Sequence, residues 1–285
     1  MTGDIQIGRI MRRPRSELAL RGRDCGPSPM LNHHGIGVDR EGGKGETVLL
    51  LHGFGGSKDD WTAFAKYLKG YHLVIPDIPG FGESSQVPTL SYDIDSQVGR
   101  IEQFVEVLKL DTFHMAGNSL GGADAVTYGA KHPEKMLTIA LIDTAGALSK
   151  NKSELTLQLE KGNNPFQTNS IEDYDRLVDM IFVTRPTLPA SFWNILAADF
   201  ISHTEFNMKI WNDMQVDKLS LFSVGPALSM IQMPVLIIWG DQDKITDIGG
   251  VAFLEERLKN HKTVILKDTG HCPMMERPKE TAKIC

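Results

Sequence analysis

Cysteine is scarce in this sequence, which has three such residues (Cys25, Cys272 and Cys285) among 285. An odd, widely spaced set without a Cys-x-x-Cys motif argues against a disulfide framework and against a structural zinc site. A long basic tract is also missing, and the formal net charge is −6. We therefore expect no nucleic-acid partner.

Long apolar segments are missing as well. The N-terminal residues contain no apolar core of a secretory signal. Residues 219–240 carry no charge, but Pro226 and Pro234 interrupt them, which argues against a membrane-spanning helix. We therefore expect a cytoplasmic protein, and no feature of the sequence indicates an oligomeric state.

The composition that remains is that of a globular protein, with 41% apolar and 23% charged residues. Apolar runs typical of buried strands alternate with helical patterns, which predicts a parallel sheet in an α/β fold. The alternation stops near residue 147 and resumes near residue 233. The predicted organisation is an N-terminal segment of uncertain structure (1–43), an α/β core (44–146 and 233–285) and a helical cap (147–232).

A Gly-Asn-Ser-Leu-Gly motif at residues 117–121 carries the strongest chemical signal. It lies between a predicted strand and a predicted helix, which is the context of a nucleophile on a sharp turn. Small residues on both sides of Ser119 make room for that turn. We therefore predict that Ser119 is a catalytic nucleophile.

A serine nucleophile needs a base and an acid. His271 follows the last predicted strand, in a loop that can reach the carboxyl edge of the sheet. We predict that it is the base. Asp243 is the preferred acid, Asp241 is the second candidate in the same loop, and Asp143, after another strand, is a less favoured third. The order Ser119, Asp243, His271 is that of the α/β-hydrolase fold.

A glycine-rich loop at residues 52–56 (His-Gly-Phe-Gly-Gly) follows the strand predicted at 47–51. Backbone N–H groups of such a loop can stabilise the oxyanion of an acyl-transfer intermediate. We predict that Phe54 and Leu120 supply the two N–H donors. The loop lacks the Lys-Ser/Thr pair of a phosphate-binding loop, so no nucleotide is expected.

With these residues in place, the chain resembles the α/β-hydrolase superfamily, and within it the family V bacterial lipases and the related monoacylglycerol lipases. The resemblance rests on the motifs at residues 52–59, 77–84, 117–122, 239–243, 270–271 and 275–278. It implies a mostly parallel sheet flanked by helices, with a helical cap inserted after the sixth strand. It also implies a serine carboxylic ester hydrolase that uses Ser119, Asp243 and His271 without metal or organic cofactor.

Aromatic residues of the glycine-rich loop and of the cap are candidates for contact with a substrate. Phe54, Phe182, Trp193 and Trp211 could line an apolar pocket, although any one of them could instead pack the core of the cap. We expect esters or acylglycerols as substrates, and transient contact of the cap with lipid surfaces.

Other activities share this fold. Hydrolases of C–C bonds in ring-cleavage diketones use the same triad, and cofactor-free perhydrolases share the motifs. Dehalogenases and epoxide hydrolases are disfavoured because they use an aspartate where Ser119 stands. A non-catalytic binding protein of this fold is the least favoured alternative, because such chains commonly lack a triad residue.

Overall fold

The computed structural model describes residues 38–214 and 224–285. Within them, seven strands form one sheet in the order β1-β3-β2-β4-β5-β6-β7. All neighbouring strands are parallel except β1, which pairs with β3 in the antiparallel sense. The strands are β1 (Val38–Gly43), β2 (Thr47–Leu51), β3 (His72–Pro76), β4 (Phe113–Asn118), β5 (Met136–Ile142), β6 (Val235–Gly240) and β7 (His261–Leu266).

Eleven α-helices are assigned in the same residues, several of them one turn long. They are α1 (Thr62–Ala65), α2 (Ile94–Val107), α3 (Leu120–Lys131), α4 (Glu154–Glu160), α5 (Ile171–Ile181), α6 (Ala190–Ser202), α7 (Thr204–Met214), α8 (Gly225–Leu228), α9 (Gly250–Glu255), α10 (Pro273–Glu276) and α11 (Pro278–Ile284). Two short 3-10 helices cover Lys58–Trp61 and Pro133–Lys135. None of the described helices is long and apolar enough to cross a bilayer.

The central strands are buried along their whole length because elements pack on both faces of the sheet. Every residue of β4 and β6 is buried. Alternate residues of β2 point to opposite faces, so Leu49 and Leu51 belong to one core cluster while Val48 and Leu50 belong to the other. The apolar runs of the sequence predicted these strands because a strand that is buried on both faces has few polar positions.

Strand β1 lies inside the N-terminal segment whose structure the sequence left uncertain. Its antiparallel register joins Gly43 to His72 and Val38 to Pro76, so the sheet begins before residue 44. A Cβ on Gly43 would come within 2.0 Å of the Tyr71 carbonyl oxygen, and its φ of +98° favours glycine.

Helices α4 to α8 all lie between β5 and β6, and we call them the helical insertion. Among the described residues they follow the fifth strand, where the sequence analysis expected a sixth. Any strand that this count assumed before residue 38 lies outside the described part of the chain.

Candidate active site

Ser119 occupies a sharp turn between β4 and α3. Its backbone angles are φ 53° and ψ −115°, a conformation that is strained for a residue with a side chain. The surrounding glycines make the turn sterically feasible. A Cβ on Gly117 would lie 2.0 Å from the Gly121 oxygen, and one on Gly121 would lie 2.4 Å from the Leu51 oxygen. The strand–turn–helix context predicted for the motif is therefore present.

The glycine-rich loop after β2 lies against this turn. The Gly121 N–H donates to the His52 carbonyl oxygen over 3.2 Å. A Cβ on Gly53 would lie 3.2 Å from the Cβ of Ser119. The loop that contains Phe54 is thus next to the predicted nucleophile, as an oxyanion-binding role requires.

His52 holds that loop in position, a role that sequence reasoning did not assign. Its Nε2 accepts from the Ile78 N–H over 2.8 Å, so Nδ1 carries the proton and donates to the Gly53 oxygen, also over 2.8 Å. Burial lowers the pKa of His52, which keeps the ring neutral. The signal available in the sequence was its place at the end of a strand, immediately before the glycines.

His271 is buried beside the turn. Its Nδ1 lies 2.8 Å from Oδ2 of Asp243. Because a carboxylate accepts and cannot donate, Nδ1 is the donor and Nε2 is left as a proton acceptor. The backbone of His271 is held from two sides, since its N–H donates to the Ile181 oxygen over 2.8 Å and its oxygen accepts from Asn118 Nδ2 over 2.9 Å. The second bond joins the histidine to the residue immediately before Ser119.

The carboxylate of Asp243 is fully buried and accepts from several groups. Oδ1 accepts from the N–H groups of Ile245 (2.7 Å) and Thr246 (3.1 Å), and Oδ2 accepts from Thr246 Oγ1 (2.5 Å). Burial by itself would raise the pKa of Asp243, but the charge of His271 and the hydrogen bonds from His271 and Thr246 lower it below its ordinary value. Asp243 is therefore ionised and can stabilise an imidazolium.

The two other candidate acids are placed differently. Oδ1 of Asp241 accepts from the Thr269 N–H over 3.3 Å. Asp143 lies beside Asp243, where its Oδ1 accepts from the Gly240 N–H over 2.9 Å and its carboxyl group is hydrogen-bonded to that of Asp243. Burial, reinforced by the negative charge of Asp243, raises the pKa of Asp143 well above its ordinary value. Asp143 is therefore a neutral carboxylic acid that can donate a proton to its neighbour.

Among the described residues, one group of side chains is compact enough to ligate a metal ion. It consists of Asp143, Asp243 and His271, which each place one ligand-type atom within 4.8 Å of the others. Their own contacts suit a proton better than a metal. His271 Nδ1 is engaged by Asp243, and a proton on Asp143 supplies the donor that two adjacent carboxyl groups need.

The aromatic residues proposed from the sequence separate into two groups. Phe54 contacts Trp211 at a ring-centroid distance of 5.4 Å and Phe166 at 5.1 Å. Phe182 and Trp193 belong instead to the core cluster that contains Trp61 and Met274. The structure thus brings Phe54 and Trp211 together and places the other two aromatic residues in a separate cluster.

A parallel sheet with a nucleophile-type turn, a buried His–Asp pair and an adjacent glycine loop defines a hydrolase of the α/β class. Residues 46–278 match the alpha/beta hydrolase fold family, and the chain belongs to that family. The fold class and the resemblance expected from the sequence are therefore confirmed.

Several lipases are similar to this chain in sequence or in structure. Lipase 3 of Moraxella sp. (strain TA144) is 34% identical over 239 residues, which are 84% of this chain and 75% of that protein. Monoacylglycerol lipase ABHD6 of Homo sapiens is 32% identical over 248 residues, or 84% of this chain and 73% of that protein. The crystal structure of a membrane phospholipase A, a bacterial virulence factor, has a TM-score of 0.83 and 38% identity, covering 88% of this chain and 84% of that one. These relatives confirm the predicted class, a carboxylic ester hydrolase.

Proposed function

We propose that the chain hydrolyses carboxylic esters through a catalytic triad of Ser119, His271 and Asp243. The observation that carries the proposal is the 2.8 Å contact between His271 Nδ1 and a buried, ionised Asp243, beside a serine on a strained turn. The contact leaves Nε2 as the base, and the turn places Ser119 at the carboxyl end of β4, the position of the nucleophile in this fold.

The reaction follows from these positions in two steps. His271 Nε2 takes the proton of Ser119 as Oγ attacks the ester carbonyl, and the oxyanion receives hydrogen bonds from the N–H groups of Phe54 and Leu120. Each such donor typically contributes about 3 kcal/mol to the transition state. The imidazolium protonates the leaving alcohol, and an acyl-enzyme remains. Water then gives a proton to His271 Nε2 as it attacks the acyl carbon, and His271 returns that proton to Ser119 Oγ as the bond to Oγ breaks and the acid leaves.

We propose that the helical insertion acts as the cap that the sequence predicts for residues 147–232. The acyl group would lie in an apolar pocket between this cap and the catalytic residues. Phe54 supports this placement because it carries the proposed oxyanion N–H and packs its ring on Trp211 of α7 and on Phe166. A chain entering beside the oxyanion would therefore meet these rings. Phe182 and Trp193 lie in the other cluster, and we propose them as substrate contacts only from the sequence pattern.

Acylglycerols and related lipid esters are the proposed substrates, because the named relatives are lipases.

Helix α6 supports transient contact with a lipid surface, since it exposes 55% of Phe192, 62% of Ile195 and 41% of Leu196. Apolar side chains exposed together on one helix are typical of surfaces that contact lipid or protein. We expect sedimentation with phosphatidylcholine vesicles, and we expect Ile195→Asp to weaken it. Equal sedimentation of both proteins would contradict a role for α6.

The decisive experiment is hydrolysis of a p-nitrophenyl ester series from acetate to palmitate. We expect turnover with the wild type and none above background with Ser119→Ala. Phe54→Ala should lower kcat/KM more for the longer chains, because it removes the ring on which an acyl chain would lie. Absence of turnover on every ester, or undiminished turnover in Ser119→Ala, would refute the proposal. Turnover of a ring-cleavage diketone in place of esters would favour the C–C hydrolase activity.

A further inference from the structure

The helical insertion touches the segment around the proposed base at a close-packed seam. We call residues 181–184, at the end of α5, the strap, and residues 268–272 the histidine loop. The His271 N–H donates to the Ile181 oxygen over 2.8 Å. A Cβ on Gly270 would lie 2.3 Å from that same oxygen and 3.1 Å from the Val183 nitrogen. The strap therefore lies against the backbone of the histidine loop, with no space for a side chain between them.

One carboxylate bridges the two segments. Oε2 of Glu276 accepts from the Gly270 N–H in the histidine loop over 2.9 Å. The other oxygen, Oε1, accepts from the Thr184 N–H in the strap over 2.7 Å, and the Val183 N–H lies 3.4 Å from Oε2. Hydrogen bonds to an ionised acceptor are stronger than those between neutral groups. Glu276 thus adds a side-chain bridge to the direct backbone bond between two segments that are about 90 residues apart in sequence.

We infer that Glu276 is a positioning residue that locks the strap to the histidine loop, so that the orientation of His271 depends on the position of the helical insertion. Gly270, which Glu276 binds, adjoins His271, and the bond from the His271 N–H to Ile181 anchors the histidine to the same strap. On the other side, Asn118 holds the carbonyl of His271 to the core. Displacement of the strap would therefore pull the histidine loop against the Asn118 hydrogen bond, which ties His271 to β4. The inference rests on the proposed role of His271 as the base.

A positioning role for Glu276 has a different measurable consequence from a contribution to stability. A carboxylate that only stabilised the fold would change the fraction of folded enzyme and leave the rate of each folded molecule unchanged. A positioning carboxylate would lower the rate per folded molecule, since small displacements of a catalytic group can cost up to about a hundredfold. The experiment must therefore count active sites and measure rates on the same sample.

The first variant is Glu276→Gln. Its amide nitrogen would face a backbone N–H on one side of the seam, and because both groups are donors, the hydrogen bond on that side would be lost. The matched control is Glu280→Gln, an exposed residue on the next helix that makes the same change of charge. Each protein is labelled to completion with a fluorophosphonate to count reactive serines, and kcat and KM for p-nitrophenyl butyrate are expressed per labelled site. We expect kcat per site to fall roughly ten- to a hundredfold in Glu276→Gln, with little change in KM, and to be unchanged in the control.

The second variant opens the seam from the insertion. Thr184→Pro removes the backbone N–H that donates to Glu276 Oε1, and it leaves every residue of the proposed triad intact. If both substitutions act through this hydrogen bond, the double variant should lose no more kcat than either single variant. Hydrogen exchange followed by mass spectrometry should show faster exchange of both the strap and the histidine loop in each variant, and of neither segment in Glu280→Gln.

The outcomes separate this inference from the proposed function. Unchanged kcat per labelled site in Glu276→Gln would overturn the inference while ester turnover by the wild type still supported the function. Losses that multiply in the double variant, or faster exchange in one segment alone, would likewise overturn it. Failure of the wild type to hydrolyse any ester would remove the function and with it the role assigned to Glu276, whatever the exchange data showed about the seam.

Discussion

Replacement of each of three neighbouring aspartates by asparagine should separate the catalytic acid from the carboxyl groups around it. Asp243 is ionised and contacts His271 Nδ1, Asp143 is neutral and lies behind it, and Asp241 binds the Thr269 N–H. The three substitutions are nearly isosteric. Their effects on activity therefore report the charge and the hydrogen-bonding direction at each position.

The expected magnitudes follow from the acceptors that each carboxyl provides. In Asp243→Asn, an amide that keeps the N–H bonds from Ile245 and Thr246 through its oxygen must turn its NH₂ group toward His271. The imidazole would then carry its proton on Nε2, the wrong tautomer for a base. Such a change lowers kcat by about 10⁴ in a serine hydrolase, which corresponds to roughly 5.5 kcal/mol of transition-state stabilisation.

Asparagine at position 143 should be tolerated, because a neutral acid and an amide present the same polarity. The amide oxygen would accept from the Gly240 N–H, and the NH₂ group would replace the acid proton that faces Asp243. We expect a change of less than about tenfold in kcat/KM, the size of one altered hydrogen bond. Asp241→Asn weakens one long bond of 3.3 Å, so a change of no more than the same size is expected.

The assay is the steady-state hydrolysis of p-nitrophenyl butyrate at saturating and at low concentration, with the melting temperature of each variant measured in parallel. Only a loss of kcat without a matching loss of folded protein counts as catalytic. A loss in Asp241→Asn or Asp143→Asn as large as that in Asp243→Asn would refute the assignment of the acid and the neutral state of Asp143.

Three further predictions concern other sites. Asp124 is fully buried with no hydrogen-bond partner among the described residues, so Asp124→Leu should stabilise the fold at pH 7 by about 1–3 kcal/mol in thermal unfolding. Burial raises the pKa of Asp124 well above its ordinary value. The stability of the wild type relative to the variant should therefore be greatest below the pKa of Asp124 in the unfolded chain, and should fall as the pH rises toward its pKa in the folded protein. A difference in stability that does not change with pH would contradict this. Lys58→Met leaves the buried Asp77 carboxylate, 2.8 Å from Lys58 Nζ, without its cation, and should cost about 3–5 kcal/mol in denaturant unfolding. Addition of Asp77→Asn should recover part of that loss. Gly55 has a φ of +70°, and a Cβ there would lie 2.7 Å from Phe200. Gly55→Ala should therefore shift the glycine-rich loop that carries the proposed oxyanion donor and lower kcat. Unchanged kinetics in this variant would show that the position of the loop is unimportant.

The aromatic residues show how far composition alone could locate a pocket. Phe54, Phe182, Trp193 and Trp211 were equivalent candidates in the sequence, because each is a large apolar side chain near a predicted functional segment. The structure pairs Phe54 with Trp211 and places the other two in a core cluster on different elements. Which ring meets which depends on the way the helical insertion packs, and no short sequence pattern encodes that packing.

Local patterns were sufficient for the features whose causes are local. The strained turn at Ser119 was predictable because its glycines and its strand and helix are contiguous in sequence, and the buried strands were predictable because apolar runs reflect burial on both faces. Tertiary structure alone decided the rest. It selected Asp243 over Asp241, two positions away, to face His271, and it neutralised Asp143 by burying it beside Asp243. It also joined Glu276 to Thr184 across the seam. These outcomes depend on the direction of side chains and on the exclusion of water, which arise when distant segments pack together.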